Sequence, residues 1–559
     1  MDALFDIRQH VELECINCHT RVPLNRQVAG CPKCGENILE ARYDLNKIDV
    51  PRWMEVLRRR REGLWRYREV LPIQDSRNIV SLGEGGTPLI KSHALAASLG
   101  LKHLYIKDER QGPTGSFKDR QATVAISALK EMGVNEVVVA STGNVAIAYA
   151  AYAARAGIKV WAFFPSLTPG DKMREAALYG AEVIKVTGTY DETKEIAAKF
   201  AKHKGIFLDR GIKSVAAIEA MKTMSYEMAE QLGDDLADGE RWIAPDWFLQ
   251  GVSGGMGPIG VAKGFQELYG FGLVDKLPAL GMIQSAGCAP MVEAYQRGQR
   301  IATPIDHPQT IIATLATGNP GRAYELLYDY VHHYGGHFTT ATDDEAFTAT
   351  LVLARMDGIS VEPATAVTFA GLIKMVQDSV IKPDDVVVVN CSGHTIAVEK
   401  NILGDHWEET VELQEQHKVQ TLPQEGLLSA LEQVESQVRR IVIIEDNFDA
   451  ARLIKRILQA RGSYDIHIAN DGRQGIEMIR EVRPDMVVTD LMMPDVDGFK
   501  VIETMKADKA MASIPIVVVT AKELTAKERA RLSGQIDSLL QKGSFIDEEF
   551  IESLVSKLR

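Results

Sequence analysis

The sequence predicts a multidomain α/β protein: a two-lobed core, a small cysteine-bearing module ahead of it and a compact five-stranded unit behind. Three observations predict this. Across residues 80–403, short β-branched runs alternate with Ala-rich helical patterns, as in mostly parallel sheets with crossover helices. The alternation stops over 404–439 and restarts over 440–559. Four of the six cysteines form two C-x-x-C pairs near the N-terminus.

The bulk numbers narrow the function classes. A chain of 559 residues exceeds one comfortable core, and 45% hydrophobic with 25% charged residues is ordinary for a globular protein. A net charge of −13 argues against nucleic acid or a membrane surface as partner. No apolar run is long enough to span a bilayer, and Met1-Asp2-Ala3-Leu4 does not open a secretory signal. A cytoplasmic location is the expectation.

Taken in order, residues 1–45 carry Cys15, Cys18, Cys31 and Cys34. Two such knuckles can place four thiolates around one tetrahedral zinc ion, and so short a segment needs metal to fold. Pro32 and Gly35 suit the turns, and Asn17 and His19 read as turn residues. Residues 46–79 form a basic helical connector, with Arg58 to Arg61 read as a solvated face. Within 80–403, strands are expected at Leu104–Lys107, Val137–Ala140, Val160–Phe164, Glu182–Val186, Trp247–Val252, Met282–Ser285 and Val386–Asn390. About 320 residues are too many for one core, hence two lobes.

Polar, small-residue loops follow four of these runs. The first is Gly112-Pro113-Thr114-Gly115-Ser116-Phe117-Lys118-Asp119-Arg120, whose lysine opens a helix expected from Phe117 to Met132. A helix N-terminus disfavours an ammonium and lowers its pKa, which suits an amine that must attack a carbonyl. The others are Ser141-Thr142-Gly143-Asn144, Ser253-Gly254-Gly255-Met256-Gly257 and Cys391-Ser392-Gly393-His394. Backbone N–H groups of a Gly-rich turn at a helix start can cradle a phosphate. One Schiff-base lysine, one phosphate cradle and nearby hydroxyl and amide groups are the parts a pyridoxal phosphate site needs. Cys288 and Cys391 read as buried, His332 and His333 as packing or surface residues, and Asp343 to Glu345 as a helix start.

Residues 404–439 read as a linker, with Leu427, Leu431, Val434 and Val438 spaced as a short coiled coil or, equally, as a lone helix docked on a neighbour. Beyond it, strands are expected at Arg440–Ile444, Asp465–Ala469, Met486–Thr489, Ile514–Val519 and Ser538–Leu540. Glu445, Asp446 and Asp490 end neighbouring strands, where three carboxylates call for a hard cation such as Mg²⁺. Thr520 and Lys542 end the next two strands, placed to hold phosphoryl oxygens.

The residues from Pro113 to Arg120, with Gly83-Glu84-Gly85-Gly86-Thr87-Pro88-Leu89, Ser141–Asn144 and Glu362-Pro363-Ala364-Thr365-Ala366, resemble threonine synthases of the tryptophan synthase β-like, fold type II pyridoxal phosphate group. One branch of that family carries a zinc ribbon in front. The resemblance covers roughly residues 10–400. It implies that Lys118 holds the cofactor and shuttles protons. Asn144 would bond the ring hydroxyl, Ser253 to Gly257 would take the cofactor phosphate, and Ser392 would face the pyridine nitrogen. Thr87, Ser116, Asp119, Arg120, Ser141 and Thr142 would line the substrate site, with Arg120 suited to a substrate phosphate. The implied reaction converts O-phosphohomoserine and water to threonine and phosphate, in a homodimer. The family more often has Asn-Pro-Thr-Gly where Gln111-Gly112-Pro113-Thr114 stands, a Gly-Asn phosphate loop, and Thr for Ser392. Cysteate synthases and amino-acid dehydratases share the scaffold, and an inactive ligand-sensing signalling protein is a further alternative.

Residues 440–559 resemble a response-regulator receiver domain of flavodoxin-like topology, strengthened by Asp490-Leu491-Met492-Met493-Pro494 and Gly498. The resemblance makes Asp490 the phosphoacceptor, Glu445 and Asp446 the acidic pair for Mg²⁺, Thr520 the switch hydroxyl and Lys542 the family lysine. It implies a histidine kinase or phosphotransfer protein as partner. Leu539 stands where an aromatic is frequent, and Gly543 where proline follows the lysine.

Overall fold

The computed structural model describes residues 11–24, 30–209, 211–394 and 409–411, and 440–541 with short interruptions between 449 and 463 and between 521 and 537. Lys542 and the proposed coiled-coil segment 424–438 lie outside the described residues. The chain forms two compact units, taken separately below.

The N-terminal module is an antiparallel sheet of three strands, β1 (Val11–Cys15), β2 (Arg21–Pro23) and β3 (Leu39–Tyr43), in the order β2-β1-β3. Period-two alternation sets its inner face: Val11, Leu13 and Cys15 are buried. Helix α1 (Val50–Arg59) follows, capped by Asp49, whose side chain accepts from the Arg52 N–H at 3.2 Å. Its basic run is not wholly solvated. Arg60 donates to Glu69, which also accepts from the indole of the buried Trp53.

The first lobe sheet has the order β12-β11-β10-β13-β5-β4. Its strands are β4 (Leu89–Lys91), β5 (His103–Asp108), β10 (Trp247–Gly251), β11 (Ala279–Ser285), β12 (Gly336–Ala341) and β13 (Val386–Cys391). All pairs are parallel except the β4 edge. The second sheet runs β8-β7-β6-β9, from β6 (Glu136–Ala140), β7 (Lys159–Pro165), β8 (Glu182–Val186) and β9 (Phe207–Leu208). The sequence reading omitted β4, β9 and β12 and started β11 three residues late. Gly281 reads as a break, yet a Cβ there would meet Leu249 Cγ at 2.8 Å, so the glycine admits a close strand neighbour.

Helices begin where the small-residue loops end. α3 (Lys118–Glu131), α4 (Asn144–Ala156) and α9 (Met256–Gly270) all start at loops singled out in the sequence. β10, β13 and β5 are sheet neighbours, so three of the four loops leave the same carboxyl edge, where open α/β sheets collect ligands. The other helices used below are α5 (Gly170–Leu178), α8 (Thr223–Ala237) and α13 (Pro363–Gln377).

The C-terminal unit is a parallel sheet of five strands in the order β15-β14-β16-β17-β18: β14 (Arg440–Ile444), β15 (Asp465–Ala469), β16 (Met486–Thr489), β17 (Ile516–Thr520) and β18 (Ser538–Gln541). That is the 2-1-3-4-5 order of flavodoxin-like folds. β17 starts two residues later than expected because Pro515 has no N–H to give the ladder.

Candidate active site

Lys118 is the first residue of α3. Its ammonium lies 3.9 Å from the Phe117 ring centroid, and among the described residues no hydrogen bond or salt bridge holds it. Burial lowers its pKa to about 8, with the Glu362 carboxylate opposing the shift. Its loop is fastened to the loop after β13: Phe117 N donates to Ser392 O at 3.0 Å, His394 N donates to Gly115 O at 2.8 Å, and Ser116 bridges antiparallel to Gly393. The Ser392 hydroxyl is 2.7 Å from that of Thr365, on α13.

The neighbouring loops bring amide and carboxylate groups. Asn144 Nδ2 donates to both Glu362 oxygens at 3.0 Å. Lys172 Nζ, on α5, donates to Asn144 Oδ1 at 2.8 Å and to Glu362 Oε2 at 2.9 Å. Ser141 Oγ accepts from Gly143 N at 3.0 Å and Ala146 N at 3.1 Å, tying down the first turn of α4. Thr142 is half-buried beside it. Ser253 bonds Thr317, and Gly255 takes φ +74° as the residue before α9. A helix start leaves first-turn N–H groups without intrahelical partners, so Met256 and Gly257, the residues before Pro258, present donors of the kind a phosphate needs.

These groups fit pyridoxal phosphate. Lys118 offers an amine of depressed pKa, α9 a glycine-rich first turn, and Ser116 a buried hydroxyl without a hydrogen-bond partner among the described residues. The Asn390 side chain is buried and likewise without a hydrogen-bond partner among the described residues.

The structure corrects the expectation for Arg120 and Thr87. Arg120 is only 1% exposed, and its guanidinium donates to Glu109, Glu227, Thr223 and Thr87. Thr87 Oγ1 donates to Glu109 at 2.7 Å. Lys107, fully buried, donates to Glu227 at 2.8 Å, to Thr87 O and to Gln231. Two buried carboxylates need these cations, so Arg120 has no donor left for a substrate phosphate. Asp119 accepts from Thr114 N at 3.0 Å and Thr114 Oγ1 at 2.8 Å, and burial pushes its pKa up to about 7.

The sequence reading gave no role to Lys172 or Glu362. For Lys172 a signal was present: like Lys118, it is a lysine in the first turn of a helix, where the dipole opposes an ammonium.

Away from this site, the thiols of Cys15, Cys18, Cys31 and Cys34 lie within 4.8 Å of one another. Cys15 to Cys34 and Cys18 to Cys31 are both 3.5 Å between sulfurs, close to the roughly 3.8 Å edge of a tetrahedral Zn–S₄ site. Both knuckles close alike. His19 N donates to Cys15 O and Gly35 N to Cys31 O, each at 3.0 Å, with His19 and Gly35 at φ 54° and 76°. In the C-terminal unit, Glu445, Asp446 and Asp490 carboxylate oxygens also gather within 4.8 Å. Asp490 Oδ1 accepts from Leu491 N at 2.6 Å, and Thr520 is buried at the end of β17.

Comparison with known proteins agrees with both halves. A family model described as pyridoxal-phosphate dependent enzyme matches residues 80–393, and one described as response regulator receiver domain matches 441–554. The threonine synthase of Methanocaldococcus jannaschii is 38% identical over 381 residues, covering 68% of this chain and 91% of that protein. That of Methanosarcina acetivorans is 34% identical over 400 residues, covering 71% and 95%. That of Mycobacterium tuberculosis is 35% identical over 331 residues, covering 59% and 86%. No described helix is long and apolar enough to cross a membrane. The chain therefore belongs to the pyridoxal-phosphate dependent enzymes, as a threonine synthase-like lyase that carries a response regulator receiver domain.

Proposed function

We propose that the enzyme region converts O-phosphohomoserine and water to threonine and inorganic phosphate. The observation that carries this reading is the buried amine of Lys118, which faces the Glu362 carboxylate from a loop fastened to that of Ser392, in a chain whose relatives are threonine synthases. Pyridoxal phosphate, when bound, supplies an electron sink for carbanion chemistry. Lys118 holds it and moves a proton at the substrate Cα, its lowered pKa leaving an uncharged fraction near neutrality. Ser253, Gly254, Gly255, Met256 and Gly257 take the cofactor phosphate, Asn144 donates to the ring hydroxyl, and Ser392 faces the ring nitrogen. Ser116, Asp119, Ser141 and Thr142 border the substrate. The Ser141 oxygen already accepts two backbone N–H groups, so its remaining capacity is as a donor. Phosphate release from O-phosphohomoserine, compared with O-phosphoserine, tests the substrate. Release from the former is expected. Release from the latter alone would favour a cysteate synthase-like enzyme instead.

The four thiolates hold one structural zinc ion. Metal analysis is expected to find one zinc per chain, lost in Cys31→Ser. A zinc content unchanged by that substitution would reject the site.

Asp490 accepts a phosphoryl group from a histidine kinase or phosphotransfer protein. Glu445, Asp446 and Asp490 hold Mg²⁺, and Thr520 and Lys542 receive the phosphoryl oxygens. The enzyme region is an output-sized partner on the same chain, so the modification biases its activity or its dimerisation. Beryllofluoride, a phosphoryl mimic, is expected to change kcat/KM or oligomeric mass. Identical values with and without it would sink the regulatory reading.

A further inference from the structure

An anionic substrate needs a cation at the site, and Arg120 is not available for that task. Of the cations described above, Lys107 and Arg120 belong to the buried Glu109–Glu227 network. Arg110 forks onto Asp108 and reaches the Ser360 carbonyl. Lys172 differs. Its side chain is 20% exposed, and its ammonium touches Asn144 and Glu362, a carboxylate that also faces Lys118. Its stem lies directly across the Ser141–Asn144 turn: a Cβ on Gly143 would come 2.4 Å from Lys172 Cδ, and Gly143 takes φ +137°. Glycine thus makes room for this particular lysine beside two groups assigned to the substrate.

We propose that Lys172 is the cation that receives the phosphoryl group of the substrate, and afterwards the phosphate product. This deepens the O-phosphohomoserine reading and rests on it. An ammonium on a four-carbon stem suits the task, because it acts as a point charge with three rotatable donors. Turning from Asn144 to a bound phosphate leaves the asparagine Oδ1 free of its ammonium. Lys172 is a binding residue here; proton transfer stays with Lys118.

The test uses the holoenzyme and needs no turnover. Inorganic phosphate and L-2-aminobutyrate, which has the carboxylate and amine but no phosphate, are titrated separately while the cofactor absorbance is followed. Wild type is expected to bind both. Lys172→Met is expected to weaken phosphate by about 30-fold or more, in line with losing one partner of a desolvated charge pair. Aminobutyrate binding should move less than about threefold, and Lys172→Arg should restore most of the phosphate affinity. An unchanged cofactor band shows that the variant is folded and loaded. Phosphate binding that is unaffected in Lys172→Met, absent in wild type, or weakened no more than aminobutyrate binding would overturn the assignment. Absence of phosphate release from O-phosphohomoserine, with these titrations as expected, would reject the substrate reading while leaving an oxyanion site at Lys172.

Discussion

Lys118→Ala loses the absorbance near about 410–420 nm that a lysine-bound pyridoxal phosphate gives, and its turnover falls by about 10³-fold or more. Lys118→Arg fares no better, because a guanidinium does not deprotonate. The structure also sets a pH dependence. Burial lowers the Lys118 pKa to about 8, so the neutral amine is about a tenth of the population at pH 7. An ordinary lysine would be neutral in fewer than about one molecule in a thousand. Capture of cofactor by the apoenzyme is therefore expected to speed up as pH rises toward 8 and to level off above it. Stopped-flow absorbance reads the rate directly. A profile still rising steeply between pH 9 and pH 10 would show that the amine has an ordinary lysine environment.

Glu227→Ala lowers the unfolding free energy of the enzyme region by about 3–5 kcal/mol, since it leaves Lys107 buried without a contacting carboxylate and Arg120 with Glu109 alone. Both cations and the carboxylate are at most 4% exposed, so water does little to compensate. The burial of Glu227 opposes ionisation, but the Arg120 guanidinium and the Lys107 ammonium overcome it and hold the carboxyl far below its usual range. The sign follows from that depression. The stabilisation is complete above the unfolded pKa of about 4.3 and is lost as pH falls below it toward the folded value. Wild type and variant should differ most at neutral pH and converge in acid. All six tryptophans precede residue 408, so tryptophan fluorescence in denaturant follows the enzyme region without the receiver domain. A difference below about 0.5 kcal/mol at pH 7 would show that the network does not carry the stability assigned to it.

What could be read beforehand followed the range of each interaction. The cysteine knuckles are local, so spacing alone placed four sulfurs together. The loops after β5, β6, β10 and β13 carry their own signal, small polar residues between a β-branched run and a helix. Arg120 was misplaced for the opposite reason. Its partners Glu109 and Glu227 stand 11 and 107 residues away, and nothing in the immediate sequence announces a buried carboxylate pair. Glu362 lay in a recognised motif yet received no role, because its partners Asn144 and Lys172 are 218 and 190 residues distant. Pro515 shows a local rule applied too loosely, since a proline inside an expected strand should have moved its start.

The fastening of the lysine loop to Ser392 and His394 bears on how the protein is made. Phe117 and Ser392, joined by one backbone hydrogen bond, are roughly 275 residues apart in the chain. At about 5–20 residues per second, the ribosome needs roughly 14–55 s to add the second after the first. During that interval the lysine loop lacks the strand-end partner that fixes it. A nascent chain halted before residue 392 is accordingly expected to form no stable cofactor adduct. Acquisition of the cofactor's colour would then mark the moment when the enzyme region has been synthesised to its last strand.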